Sequence, residues 1–296
     1  KVPSPSEAIA MAHSKNYLYV VLRSLDLLRL EMDENGLKMP SGSKSFNRIV
    51  NDHFKSIHCL KPSTDNIVVV HGGKFIRVLV DGRGTESFVD TGIKDAICIT
   101  VIEESKLVVV TSSLVQLYDL TPNGFKLINN VKHDMKPLEV IGLRSSFIIL
   151  DKQSYRVFDS SLRPQPKQHR TRDFRFFVPV EGTDGYVAVF QNRKPQFYSC
   201  PNISADLEFE SDIVSMKIVM PYAYALTEDG LSIHALIANI AEFKALERNS
   251  NNSVLHVLPN YSVVFASKIG NRKLIYYSKF SKPEDHIDFI TKNDSN

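Results

Sequence analysis

Residues 107–120 read LVVVTSSLVQLYDL (Leu107–Leu120). Four consecutive apolar residues lead into a short polar break, Thr111-Ser112-Ser113, and a second run follows in which apolar and polar residues alternate. The first run has no period of two, so a strand made from it is buried on both faces. The second run alternates, as a strand with one wetter face does. Two such runs joined by a short polar break predict an antiparallel hairpin.

The pattern recurs along the whole chain. Tyr17–Arg29 reads YLYVVLRSLDLLR, Ile67–Val80 reads IVVVHGGKFIRVLV, and Phe147–Phe158 reads FIILDKQSYRVF. Tyr186–Tyr198, Ala223–Leu236 and Ser262–Tyr277 repeat it. The first runs end at Val20, Val70, Val110, Leu150, Phe190, Leu226 and Phe265, in steps of 50, 40, 40, 40, 36 and 39 residues. Each hairpin has a further apolar strand before it, such as Ser56–Leu60, Ala96–Ile102 or Ile213–Val219. A period near forty built from strands is that of four-stranded propeller blades. The expected fold is therefore an all-β, seven-bladed β-propeller of about 40 residues per blade. It forms one domain over residues 1–283, with a polar tail at 284–296 that could open a helical region. The long first step points to an insertion within Met39–Asn51. The polar stretches Asp33–Ser45, Thr121–Gly124, Ser160–Arg172 and Asn249–Asn252 read as connections between blades.

Totals narrow the function classes. At 43% hydrophobic and 23% charged, the 296 residues can bury a large core. No apolar run approaches the roughly 20 residues that cross a bilayer, and no signal peptide is visible. The chain starts at Lys1, which leaves room for an upstream region. Cys59, Cys98 and Cys200 are odd in number and widely spaced, so they read as thiols of a reducing compartment, with no zinc site. The sequons at Asn202, Asn251, Asn260 and Asn293 point the other way, toward a glycosylated protein, but the motif is so short that a few chance matches are expected in a chain rich in Asn and Ser. No GxSxG elbow or phosphate-binding loop is present, and Asp81–Gly84 reads as a turn. His58 and Cys59 are neighbours on a strand and point to opposite faces, so they do not share a ligand. No catalytic, cofactor or metal residue is expected.

The propeller diverges from the WD40 type. With no tryptophan, the Trp-Asp dipeptide is absent from every blade, and Gly72-Gly73 does not recur as kelch repeats would require. Asp212–Leu236, DIVSMKIVMPYAYALTEDGLSIHAL, carries Pro221-Tyr222, Ala225-Leu226 and the return strand Ile233-His234. Val263-Val264-Phe265-Ala266-Ser267 and the acidic lead-out Glu284–Ile290 follow. This third of the chain resembles the end of a citron homology (CNH) domain. It is most like the N-terminal propellers of the Rab-specific HOPS and CORVET tethering subunits and of TGF-β-receptor-associated protein. Pro137–Asp159 has the same layout more weakly, and the N-terminal half matches in rhythm alone. The resemblance implies a non-catalytic platform, cytoplasmic and peripheral on endosome or vacuole membranes. It would bind a Rab GTPase or companion tethering subunits during vesicle fusion. A CNH domain of a Rho-pathway exchange factor or kinase is a second reading. A propeller enzyme with a central-channel site is a third, which would gather Asp, Glu or His residues at the channel mouth.

One segment stands out as a candidate surface. Arg163–Arg175, RPQPKQHRTRDFR, holds Arg163, Lys167, Arg170, Arg172 and Arg175 against Asp173. Its local charge of +4 exceeds the whole-chain +3. Pro164 and Pro166 keep it out of a helix. It reads as a basic loop for an acidic partner or an anionic membrane surface, or as a solvated connector. Nucleic acid is not expected. Met216, Met220 and Tyr222 read as one strand face, with Pro221-Tyr222 a structural marker.

Overall fold

A computed structural model contains seven small antiparallel sheets arranged in a ring, a seven-bladed β-propeller. Residues 1, 5, 15–16, 34–35, 39–53, 61–66, 74, 83–84, 122–123, 192, 201–206, 208, 210–211, 228–229, 237–239, 246–249, 259–260, 270 and 279–296 lie outside the described residues. The expected insertion at Met39–Asn51 and the tail at 284–296 fall there. The innermost strands of blades one to seven are Ala8–His13, Phe54–Leu60, Cys98–Ile102, Glu139–Gly142, Phe174–Pro179, Ile213–Val219 and Ser250–Val257. Each touches the inner strand of the next blade, and the last touches the first.

The opening stretch becomes the second and third strands of blade three, Lys106–Val110 and Leu114–Thr121. Its double apolar face has a direct cause. Val108 and Val110 enter the core shared with blade four, while Leu107 and Val109 enter the core shared with blade two. Among the described residues there are seven such cores, one between each pair of neighbouring blades. Each second strand is sandwiched between two of them, so hydrophobic burial holds the ring together.

Closure uses both ends of the chain. Val2 pairs with Ile275 and Pro3 with Leu274, so Val2–Pro3 is the outermost strand of blade seven. Ile275 is fully buried in the core between blades seven and one.

Two expectations need correction. The polar stretches read as connections between blades hold outermost strands: Gly36–Lys38 lies within Asp33–Ser45, and Gln168–His169 lies within Ser160–Arg172. Thr121 and Gly124 pair with each other inside blade three, and Asn251 and Asn252 lie in an inner strand. A rim strand is wet on both faces and one edge, so its composition resembles a loop. Met216, Met220 and Tyr222 also do not share a face. Met216 and Met220 pack between blades five and six, Tyr222 between six and seven, because Met220-Pro221 is the turn that reverses the chain.

Candidate functional site

Every blade is a meander that starts at the channel, so all inner strands run the same way. Their first residues lie at one face of the disc, here the entry face, and their last at the exit face. Segments leading from an outer strand to the next inner strand therefore land on the entry face.

This geometry divides the basic segment. The third strand of blade four, Ser154–Asp159, runs from entry to exit, and the chain turns back through Ser160–Leu162. Arg163 lies at that exit-side turn, where its N–H donates to Asp159 Oδ1 at 2.8 Å. Pro164 bridges to Phe158, and His169 pairs with Ser154 at the opposite end of the strand. The two ends are about 13 Å apart at strand rise. Lys167, Arg170, Arg172 and Arg175 gather toward the entry face, and Arg163 does not join them.

The four differ in availability. Arg170 is a clamp within the fold. Its Nη1 donates to the Asp151 carbonyl at 2.7 Å, and its guanidinium lies 4.3 Å from the Phe174 ring centroid. It thereby ties the entry-side turn of blade four to the first residue of blade five. Lys167 Nζ lies 3.6 Å from Asp151 Oδ2. Burial pushes the Asp151 carboxyl up, but hydrogen bonds from Ser154 and from the Gln153 and Ser154 N–H groups, with Lys167 beside it, hold it below the usual carboxylate range. Arg175 Nη1 pairs with Asp212 Oδ2 at 3.3 Å across the blade five–six boundary, on exposed side chains. Arg172 is exposed and makes none of these contacts. Leu138 and Val214, 55% and 39% exposed, stand beside the inner-strand starts on the same face. The entry face is thus mixed in charge with isolated apolar points.

The channel holds a group that the sequence presented only as scattered residues. His13, His58, Lys217 and His256 come from the inner strands of blades one, two, six and seven. They pair with Leu18, Val69, Tyr224 and Val264, each the second or third residue of its blade's second strand. All four therefore sit at about one level, toward the exit face. His13 Nδ1 and His256 Nε2 are 2.7 Å apart, with ring centroids at 4.9 Å. Burial lowers the His58 pKa to about 4, helped by His71 and Lys217 and opposed by a hydrogen bond to the Ile99 carbonyl. Burial also lowers His256, aided by His13 and Lys217. Lys217 is lowered by burial, with Glu181 opposing. His71, fully buried in the second strand of blade two, is different: its Nε2–H donates to the Ala96 carbonyl at 3.2 Å and fastens blade two to blade three. The repeat pattern could have revealed the channel level, but inner-to-second turns of unequal length hide it.

Histidines do converge, as the channel-enzyme reading asked, with Lys217 among them and no Asp or Glu at the same pairing level of these four strands. Among the described residues no three His, Cys, Asp or Glu are placed to hold a metal ion. Cys59 packs into the core toward blade one, away from His58. None of the three cysteines is in a disulfide.

No family model matches the chain, and no curated protein matches it in sequence. Solved structures match in shape. The CNH domain of AfRom2 superposes with a TM-score of 0.60 at 10% identity, covering 95% of this chain and 97% of that one. The WD40 domain of Neurospora crassa Pan2 gives 0.66 at 9%, covering 94% and 90%. The computationally designed Ika8 protein gives 0.60 at 12%, covering 93% and 98%. At such identities these likenesses show the fold: a seven-bladed propeller of the kind found in CNH and WD40 domains.

Proposed function

We propose that this propeller is a non-catalytic protein-interaction platform of the CNH type, part of a subunit of an endosomal or vacuolar membrane-tethering complex. It engages a Rab GTPase or companion subunits, is cytoplasmic, and sits peripherally on the membrane. The CNH part is supported by a shape match that a WD40 domain shares, and by a resemblance read from the residues, while no family model matches the chain. Asp212–Ile290 resembles CNH domains in sequence, and a CNH domain matches nearly the whole chain in shape. The tethering part rests on the resemblance of the sequence to the Rab-specific subunits. The entry face suits such a role, with exposed Arg172, weakly paired Lys167 and Arg175, and apolar points at Leu138 and Val214.

The test is binding of the purified chain to a panel of Rab and Rho GTPases in both nucleotide states and to tethering-complex subunits. Binding to an endosomal or vacuolar Rab, or to a tethering subunit, is the expected result. Binding only to Rho GTPases would move the protein to the exchange-factor or kinase reading, and binding to none would overturn the platform. A second arm uses vesicles with anionic lipid. Arg172→Glu is expected to weaken attachment by roughly 2 kcal/mol, since each basic residue at such a surface contributes about 1 kcal/mol and the swap removes one and opposes another. Arg170→Glu is unsuited to this arm because it breaks the clamp onto Asp151 and Phe174. Unchanged attachment in Arg172→Glu would leave the segment a structural rim.

A further inference from the structure

We propose that the exit half of the central channel binds a small tetrahedral oxyanion of the phosphate class, held by Lys217, His58 and the His13–His256 pair. The site is separate from the interaction platform, which uses outer surfaces and needs no channel ligand.

Four blades deliver nitrogen bases to one level of the channel, and the acid within electrostatic range of Lys217 among the described residues is Glu181. Glu181 is exposed in the exit-face turn of blade five. It is therefore hydrated and compensates the half-buried Lys217 ammonium poorly. Lys217 lies in electrostatic range of both His58 and His256, so the group is one cluster and not two pairs. Burying several potential cations together is costly unless an opposite charge joins them.

Two polar atoms are unpartnered. His58 Nε2 has no accessible surface and no protein hydrogen bond. Ser56, two residues earlier on the same strand, has a buried hydroxyl in the same condition. A neutral His58 that donates to the Ile99 carbonyl leaves Nε2 as a bare acceptor. Proton uptake would turn it into a donor aimed at an anion. The His13–His256 contact holds one proton between its facing nitrogens. A second proton there would be repelled by Lys217 unless an anion offsets it.

The donor set selects the ligand class. Lys217 carries three N–H donors, and the imidazoles follow it around the channel from the next three blades, seven, one and two. Donors arriving from several directions match an oxyanion with acceptors on all sides better than a planar carboxylate. A cation is disfavoured by Lys217.

The test is titration of the purified chain with inorganic phosphate at fixed ionic strength in chloride, near pH 6, followed by calorimetry and by 31P line width. Saturable binding in the millimolar range or tighter is expected, with shifts of the His58 and His256 ring Cε1–H resonances. Lys217→Met should weaken binding at least about tenfold, equivalent to about 1.4 kcal/mol. Without phosphate, Lys217→Met should melt no lower than the parent chain, because a half-buried ammonium beside imidazoles is replaced by an apolar side chain of similar length. If that variant fails to fold, His58→Phe supplies the same comparison. Absence of saturable binding, or equal stabilisation of parent and variant by phosphate, would overturn the site.

Discussion

Gly142 closes the inner strand of blade four against blade three. A Cβ there would sit 2.3 Å from the Val101 carbonyl oxygen and 2.6 Å from Thr100 Oγ1. Neither neighbour yields, since Val101 pairs with Leu107 and Thr100 is buried. Gly142→Ala is expected to cost about 1–3 kcal/mol by overpacking, read as a lower urea midpoint at unchanged m value. Gly92 is the opposite case. An added Cβ meets nothing, but φ is +73°. Gly92→Ala should cost about 1–2 kcal/mol through the backbone alone. Equal midpoints for Gly142→Ala and the parent would show that the blades part freely. His71 makes a prediction in pH. Burial, with Lys55 nearby, lowers it to about 4 despite its hydrogen bond to Ala96. The unfolded histidine protonates near 6.5. Between those values the unfolded chain binds more protons, so stability falls as pH drops from about 6.5 toward 4. The slope contributed is up to about 1.4 kcal/mol per pH unit. His71→Gln should flatten the denaturation-midpoint profile across that window.

Among the elements, the exit-face turns carry an interlock between blades. Arg144 N–H donates to the Thr183 carbonyl at 2.9 Å, and Asp184 accepts from Ser145 N–H, Ser145 Oγ and Ser146 Oγ at 2.7, 2.5 and 2.7 Å. Burial pushes the Asp184 carboxyl up, but these bonds outweigh it and hold the group below the ordinary carboxylate range. A depressed value stabilises the fold above about pH 4 and is lost as the carboxyl protonates on further acidification. Asp184→Ala should therefore cost about 1–3 kcal/mol at neutral pH. The gap to the parent chain should narrow in acid urea melts; a constant gap would point to packing instead. The basic segment belongs to this scale too. Its charge could be counted from the sequence, but its use could not. Pairing of His169 with Ser154 sends Arg163 to one face and the other four toward the other. Arg170 is spent on Asp151 and Phe174, leaving Arg172 the most available of the set.

For the whole molecule, the seam between blades seven and one is where the ring is joined by distant parts of the chain. Ser4 N–H donates to the Lys273 carbonyl at 2.9 Å, and Ile275 lies under the Val2 pairing with no exposed surface. Ile275→Ala should cost about 2–5 kcal/mol through the cavity it leaves. It should also speed hydrogen exchange at Ser4 more than in blade three. Uniform acceleration around the ring would mean that the propeller opens only globally.

The hairpin at Leu107–Leu120 and its recurrence were enough to determine seven blades, because a strand pressed between two neighbours must be apolar on both faces. That constraint is local and repeats with the chain. Seven reference positions, from Val20 to Phe265, all fall in second strands. The outermost strands were not legible, since a rim strand such as Gln168–His169 is solvated and reads as a loop. Nor was the seam legible, because a two-residue strand at Val2–Pro3 has no periodicity to detect. Only the tertiary structure could gather His13, His58, Lys217 and His256. They are up to 243 residues apart, and they meet because closing the ring brings inner strands from opposite ends of the chain to one axis.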